Sequence, residues 1–167
     1  MINWEFANDF HPASKVWIYQ CNRELTAAEA SEIDSALLLF SKEWTSHKQE
    51  LKASGVVLLN RFIVLLADES LNSVGGCSID SSVKFIRSIE NHFGISLLDR
   101  TVLLFEIAGK MHEVSINELE KYISNGTITF DSVYFNNTVT SLFEMKKNWQ
   151  IPVKNSWMRS KFKALID

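Results

Sequence analysis

The sequence predicts an α+β fold: a ferredoxin-like βαββαβ core with an antiparallel sheet, followed by a helical C-terminal extension. Three observations lead there. Residues 15–107 alternate apolar runs with amphipathic stretches in the order strand, helix, strand, strand, helix, strand, which is the split βαβ order. The first and third strand candidates, Lys15–Cys21 and Phe62–Ala67, are apolar on both faces, as strands in the middle of a sheet are. That topology places the same two strands centrally. No repeat, low-complexity tract or Pro/Gly/Ser-rich linker divides the 167 residues. They read as one domain, with an N-terminal arm (1–14), a core (15–107) and an extension (108–167).

Each element has a local reason. The arm carries Trp4, Phe6 and Phe10 among polar residues and ends at His11-Pro12, an irregular segment whose aromatics dock on the body. Lys15–Cys21 is rich in β-branched and aromatic residues, which favour strands. Thr26-Ala-Ala-Glu29 is a capping box. The helix it opens places Ala30, Ile33, Leu37, Phe40 and Trp44 on one face and is expected to run to 46–48. Leu51–Leu59 and Phe62–Ala67 are strands, linked by Asn60-Arg61 as a tight hairpin. After a loop at 68–78, a helix is expected over 79–93, with Ile79, Val83, Ile86 and Phe93 inward and Gly94 as its stop. Val102–Ile107 and Met111–Val114 read as strands around Ala108-Gly-Lys110. Ser115-Ile-Asn-Glu118 is a second capping box, and its helix ends at Asn125-Gly126. Ile128–Phe135 is a further strand. Val139, Leu142, Phe143 and Trp149 mark a helix ending before Pro152, and Trp157, Met158, Phe162 and Leu165 a last one.

Composition narrows the class. Hydrophobic residues make up 46% and charged residues 22%, a globular balance that argues against disorder. No apolar run approaches the ~18–20 residues of a membrane span, and the start lacks the basic and apolar regions of a signal peptide. Cys21 and Cys77 are the only cysteines, too few for a disulfide framework. Free thiols in a reducing cytoplasm are expected. The net charge of −3 conceals a basic tail: residues 138–167 hold six Lys/Arg against two acids. Spread over thirty residues, it reads as a solvated face, and a nucleic-acid partner is not expected.

The candidate site lies in the segment 68–82, where a buried strand delivers Asp68 and Glu69 to a turn-rich loop. The loop reaches Gly75, Gly76 and Cys77, then Ser78, Asp80, Ser81 and Ser82 at a helix start. Amides and hydroxyls there suit a small anion, although Asp80 can fill the same place as a self-cap. Arg61 and Arg100 stand at strand ends, and Arg61 is a candidate ligand-binding cation. Cys77 at a helix N-terminus is a candidate nucleophile, with His47 as its candidate base. Otherwise Cys77 is a small buried hydrophobe. The histidines and cysteines show no metal spacing, so neither metal nor cofactor is expected. Trp17, Trp44, Trp149 and Trp157 read as packing residues.

Several blocks together resemble a known family. They are Val16-Trp-Ile-Tyr-Gln20 with Arg23, Trp44 with His47, Leu51-Lys-Ala53, Asn60-Arg-Phe-Ile63, Asp68-Glu-Ser70, Gly76-Cys-Ser-Ile-Asp-Ser-Ser-Val83, Asp99-Arg100, Phe135-Asn-Asn137, Trp149 with Pro152, and Ser156-Trp157. The chain resembles, over nearly its whole length, a small bacterial family carried under the label "ABC transporter ATPase". That family has Ser before the Gly-Cys pair and often Phe-Phe before Asp-Arg, where this chain has Gly75 and Leu97-Leu98. The resemblance implies a soluble cytoplasmic protein and carries over no activity. The sequence has no G-x-x-x-x-G-K-[ST] phosphate loop, so ATPase activity is not expected.

The expected function is a non-catalytic binding or regulatory module. Its ligand, a small anion or a protein partner, meets the 68–82 loop and helix start. The alternative is an enzyme with Cys77 as nucleophile. An exposed edge of the sheet can also pair with a second copy.

Overall fold

The computed structural model describes residues 2–46, 49–70 and 73–166. Its helices and antiparallel sheets form an α+β protein. The chain divides into two compact units, Met1–Leu98 with Thr138–Phe143, and Asp99–Asn137 with Glu144–Asp167.

The first unit holds strands β1 (Lys15–Gln20), β2 (Thr45–Ser46), β3 (Gln49–Glu50), β4 (Lys52–Leu58) and β5 (Phe62–Asp68), and helices α1 (Ala27–Glu43) and α2 (Gly76–Phe93). Its main sheet has the order β1-β5-β4, antiparallel throughout, with Val64 of β5 opposite Ile18 on one side and Val56 on the other. Every residue of β5 is buried, as its unbroken apolar run requires. Tyr19, Ile63 and Leu65 of the sheet pack with Ile33 and Leu37 of α1 and Ile86 and Ile89 of α2. In the arm, Trp4 stacks on Phe6, and the Lys52 ammonium lies 5.0 Å over the Phe10 ring.

The first three core strands take the split βαβ places. The ferredoxin-like order as a whole is not confirmed, because the fourth strand, Val102–Ile107, pairs in the other unit's sheet. Another segment lies along the outer edge of β1. Val16 N–H donates to the Thr140 carbonyl (3.0 Å), Leu142 N–H donates to that of Ser14 (2.9 Å), and Lys15 bridges Ser141.

The capping box at Thr26 is complete. Glu29 N–H donates to the Thr26 hydroxyl (3.2 Å), Thr26 N–H donates to the Glu29 carboxylate (2.8 Å), and Arg23 grips that carboxylate at 2.9 and 2.7 Å. The Arg23 bonds, then the Thr26 N–H, hold the Glu29 pKa down at about 2 against a usual 4.5. A depressed acid stabilises the fold above its unfolded pKa and ceases to do so as pH falls through the folded value. Stability is thus expected to drop between about pH 4.5 and 2, and Glu29→Gln to flatten that part of a thermal-melting pH profile.

Helix α1 stops at Glu43, short of the expected 46–48. Trp44 leaves it in an extended conformation (φ −70°, ψ 120°). Its carbonyl accepts from Leu51 N–H at 3.0 Å and its indole N–H donates to the Ser78 carbonyl at 2.9 Å. Two bonds to distant segments outweigh helical periodicity there. The hairpin turn is centred on Leu59 and Asn60 (φ 55° and 49°), not Asn60-Arg61, and closes with Arg61 N–H on the Leu58 carbonyl (3.0 Å). The Arg61 carbonyl already accepts from Cys21 N–H at 2.8 Å, which draws Arg61 into the ladder. Leu59 in the left-handed region carries strain of about 1–2 kcal/mol that Asn tolerates. Leu59→Asn is expected to raise stability by about 1 kcal/mol, measured by urea unfolding.

The second unit contains β6 (Val102–Ile107), β7 (Lys110–Ser115), α3 (Leu119–Ser124), β8 (Val133–Phe135), β9 (Gln150–Pro152) and α5 (Arg159–Ile166), while α4 (Leu142–Asn148) begins in the first unit. Its antiparallel sheet has the order β7-β6-β8-β9, over a core of Leu103, Phe105, Val114, Leu119, Ile123 and Phe162. Ser115 accepts from Asn117 N–H, one residue earlier than a capping box needs, and a single 3-10 turn precedes α3. Only 133–135 of the expected 128–135 strand forms, because Thr129 N–H donates to the Ser132 hydroxyl and bends the chain. Trp157 is 45% exposed and not part of the core. Lys154 and Lys161 of the basic tail pair with Asp131 and Glu120 at the surface. Among the described residues, no helix is long and apolar enough to cross a membrane.

Candidate functional site

The 68–82 segment is built from the inside outward. Asp68, at the buried end of β5, accepts from Ser70 N–H at 2.9 Å and lies 3.7 Å from the Lys52 ammonium. The Ser70 N–H, with smaller help from the Ser70 hydroxyl, the His11 N–H and Lys52, holds its carboxyl below the usual range. Glu69 accepts from Val74 N–H at 2.8 Å and pairs with Lys15 at 3.1 Å. Both acids therefore fasten the loop to the sheet. Among the described residues no group of three His, Cys, Asp or Glu is placed to hold a metal ion.

Helix α2 starts at Gly76, three residues before the expected Ile79. Gly75 is its N-cap and makes no side-chain cap bond. Ser78 and Ile79 N–H groups close onto the Gly75 carbonyl at 3.0 and 3.1 Å, whereas those of Gly76 and Cys77 meet no acceptor among the described residues. The earlier start carries Asp80 past the first turn, so it does not cap the helix. It also rotates the buried stripe onto Ser78, Ser82, Ile86 and Ile89, leaving Ile79 exposed. The serine hydroxyls donate inward: Ser78 to the Thr45 carbonyl (2.9 Å), Ser81 to that of Ser78 (2.7 Å), and Ser82 to that of Ile79 (2.7 Å).

Cys77 is exposed, not a buried hydrophobe, and both cysteines are free thiols. His47 lies outside the described residues. Of the other histidines, the His11 ring accepts from Ala13 N–H, His92 pairs with Glu32, and His112 sits on β7. Arg61 is not part of this segment. It stands at the opposite end of β5 from Asp68, roughly 20 Å away at about 3.3 Å per residue. There it is buried, which lowers its pKa, beside Cys21 and Glu24. The same burial pushes the Cys21 thiol up.

A second location, unmarked by the sequence motifs, lies along the outer edge of β4. Bonds along antiparallel strands alternate in direction. The Arg61 carbonyl points to β1, which turns Phe62, Val64 and Leu66 toward β4 and pairs them with Leu58, Val56 and Ser54. The backbone groups of Ala53, Gly55 and Val57 therefore face away from β5. Val57 N–H is taken at 2.7 Å by the Asp34 carboxylate of α1. Burial raises the Asp34 pKa, opposed by that bond. The N–H groups of Ala53 and Gly55 have no partner among the described residues.

Beside this edge, α1 and β4 enclose a hollow of about 550 Å³, lined by Leu38, Ser41 and Lys42 on one side and residues 50–55 on the other. Ser41 is 6% exposed and its hydroxyl has no hydrogen-bond partner among the described residues. Leu38, 56% exposed, also lines a neighbouring hollow of about 440 Å³ toward Asp34 and Asn60. One sequence signal can mark this edge: Ala53-Ser54-Gly55 is a weak strand former in an otherwise apolar sheet, which suits an edge that another backbone approaches. No family model, curated protein or solved structure matches this chain.

Proposed function

We propose that the chain is a non-catalytic binding or regulatory module working in the cytoplasm, and that its partner is a protein. The observation that carries this reading is the α1–β4 groove, where two strand N–H groups and a buried hydroxyl have no partner among the described residues and an exposed leucine stands beside them. Unpaired strand edges mark places where other chains dock. The two free thiols fit a reducing compartment. On the Gly76–Val83 block, which forms the first two turns of α2, we group the chain with the bacterial family it resembles. In this reading the 68–82 segment braces the sheet beneath α2.

Panning a random peptide display library on the whole chain tests it. Peptides are expected to be enriched, and the Leu38→Arg variant, altered at a largely exposed position, is expected to lose them. No enrichment, or peptides indifferent to Leu38→Arg, overturns the groove as the binding surface.

A second reading keeps Cys77 as a nucleophile, because the thiol is exposed as the second residue of α2, where a helix N-terminus stabilises thiolate. Alkylation by iodoacetamide separates the two, with buried Cys21 as an internal control. A Cys77 rate near that of a free thiol at neutral pH supports the binding module, and one tenfold faster favours the enzyme.

A further inference from the structure

Resting on the protein-binding reading, we infer that the partner is an extended peptide carrying an acidic side chain, which adds to β4 as a fourth strand beneath α1. Adding a strand to a sheet edge takes its affinity from main-chain bonds and its selectivity from alternate side chains. The edge supplies the main-chain part. Ala53 and Gly55 present outward N–H groups at the two-residue period of a strand, and neither has a partner among the described residues. Asp34 already occupies the next outward N–H, that of Val57. The side chain therefore imitates there the acceptor that a neighbouring strand would bring.

The roof of the groove decides between occupants. Asp34 reaches over the outer side of β4 to Val57, and a β-carbon placed on Gly55 would stand 2.8 Å from Leu37. Helix α1 thus lies directly over the edge strand. In a two-fold dimer joined edge to edge, adjacent β4 strands would be about 4.8 Å apart, which would bring the two α1 helices closer than the 8–10 Å that packed helices need. A second copy paired antiparallel, with both helices on one face, does not fit, whereas a peptide without its own helix does. The hollow of about 550 Å³ falls within the ~300–1,000 Å³ of ligand sites.

Two side chains specify the guest. The Ser41 hydroxyl, buried on the groove wall and without a partner among the described residues, is a polar group that a peptide carbonyl or N–H would satisfy. Lys42 lines the same end and has no ion-pair partner among the described residues, whereas Lys52 is turned to the Asp9 carbonyl and Asp68. Glu50 lines the same hollow but has an interaction of its own, so the charge left over at this end is that of Lys42, and the guest carries a carboxylate.

The probe is a synthetic peptide from the display selection, added to isotope-labelled whole protein. Binding is expected to slow amide exchange at Ala53 and Gly55 at least tenfold. Ala53→Pro removes the outward N–H and leaves the bonds to β5 intact, and is expected to weaken binding tenfold or more. Lys42→Glu, on an exposed side chain that leaves folding untouched, is expected to weaken it several-fold and to shift selection away from acidic peptides. Binding lost in Leu38→Arg but without slowed exchange at Ala53 and Gly55 overturns strand addition and leaves the binding module standing. A dimer of the free protein with β4 at its interface also overturns it. No peptide binding at all overturns both.

Discussion

Replacing Trp44 with alanine is expected to lower the stability by about 3–5 kcal/mol, the usual cost of deleting a buried aromatic ring. Trp44 is among the largest fully buried side chains. Its ring meets Trp17 edge-on at 5.6 Å and Phe40 at 5.2 Å, and packs with Leu51, Ala67 and Val74. Its indole N–H also ties the end of α1 to the first turn of α2 at the Ser78 carbonyl. Trp44→Phe keeps most of the ring and loses that bond. Because the Ser81 hydroxyl also donates to the Ser78 carbonyl, the loss is expected to be about 1 kcal/mol. Urea unfolding of both variants separates packing from hydrogen bonding.

The second large effect belongs to Gly55. A β-carbon there would meet Leu37 Cδ2 at 2.8 Å, Leu37 Cβ at 3.0 Å and Leu65 Cδ2 at 3.2 Å. Leu37 Cβ belongs to the helix frame and does not swing away, so α1 itself has to lift from β4. Gly55→Val is expected to cost about 3 kcal/mol, at the upper end for overpacking a core. The roughly 0.4–1 kcal/mol that losing a glycine returns through the unfolded chain does not offset this. Since α1 roofs the groove, Gly55→Ala is expected to weaken peptide binding more than its smaller stability cost explains. Titration of the folded variant checks this.

Local chemistry was legible in the sequence, and long-range competition was not. The capping box at Thr26 and the left-handed Gly94 stop of α2 depend on a few adjacent residues, and both formed where their residues stand. The apolar run of β5 made it central, and it is. Local serine bonds cut short the 128–135 strand and the Ser115 cap, and bonds from elsewhere in the chain moved other boundaries. The ends of α1 and of the β4–β5 turn moved because Trp44 bonds Leu51 and Ser78, and Arg61 bonds Cys21. The place beside β1 went to 140–141, more than a hundred residues away. Asp68 and Glu69 belong to the loop's own bonding, Asp80 sits beyond the first turn, and Arg61 is at the far end of the strand. Ala53-Ser54-Gly55 hints at an edge, but the groove itself depends on α1 lying over β4, which no periodicity encodes.

Native-state amide exchange of the free protein reads the β4 edge residue by residue. The open edge of β4 predicts that Ala53 and Gly55 exchange quickly while Ser54 and Val56, bonded to β5, are protected. Val57 is expected to lie between them, slowed by the Asp34 carboxylate. Ala53 and Gly55 amides as protected as those of Ser54 and Val56 would show the edge already covered, and would contradict the account.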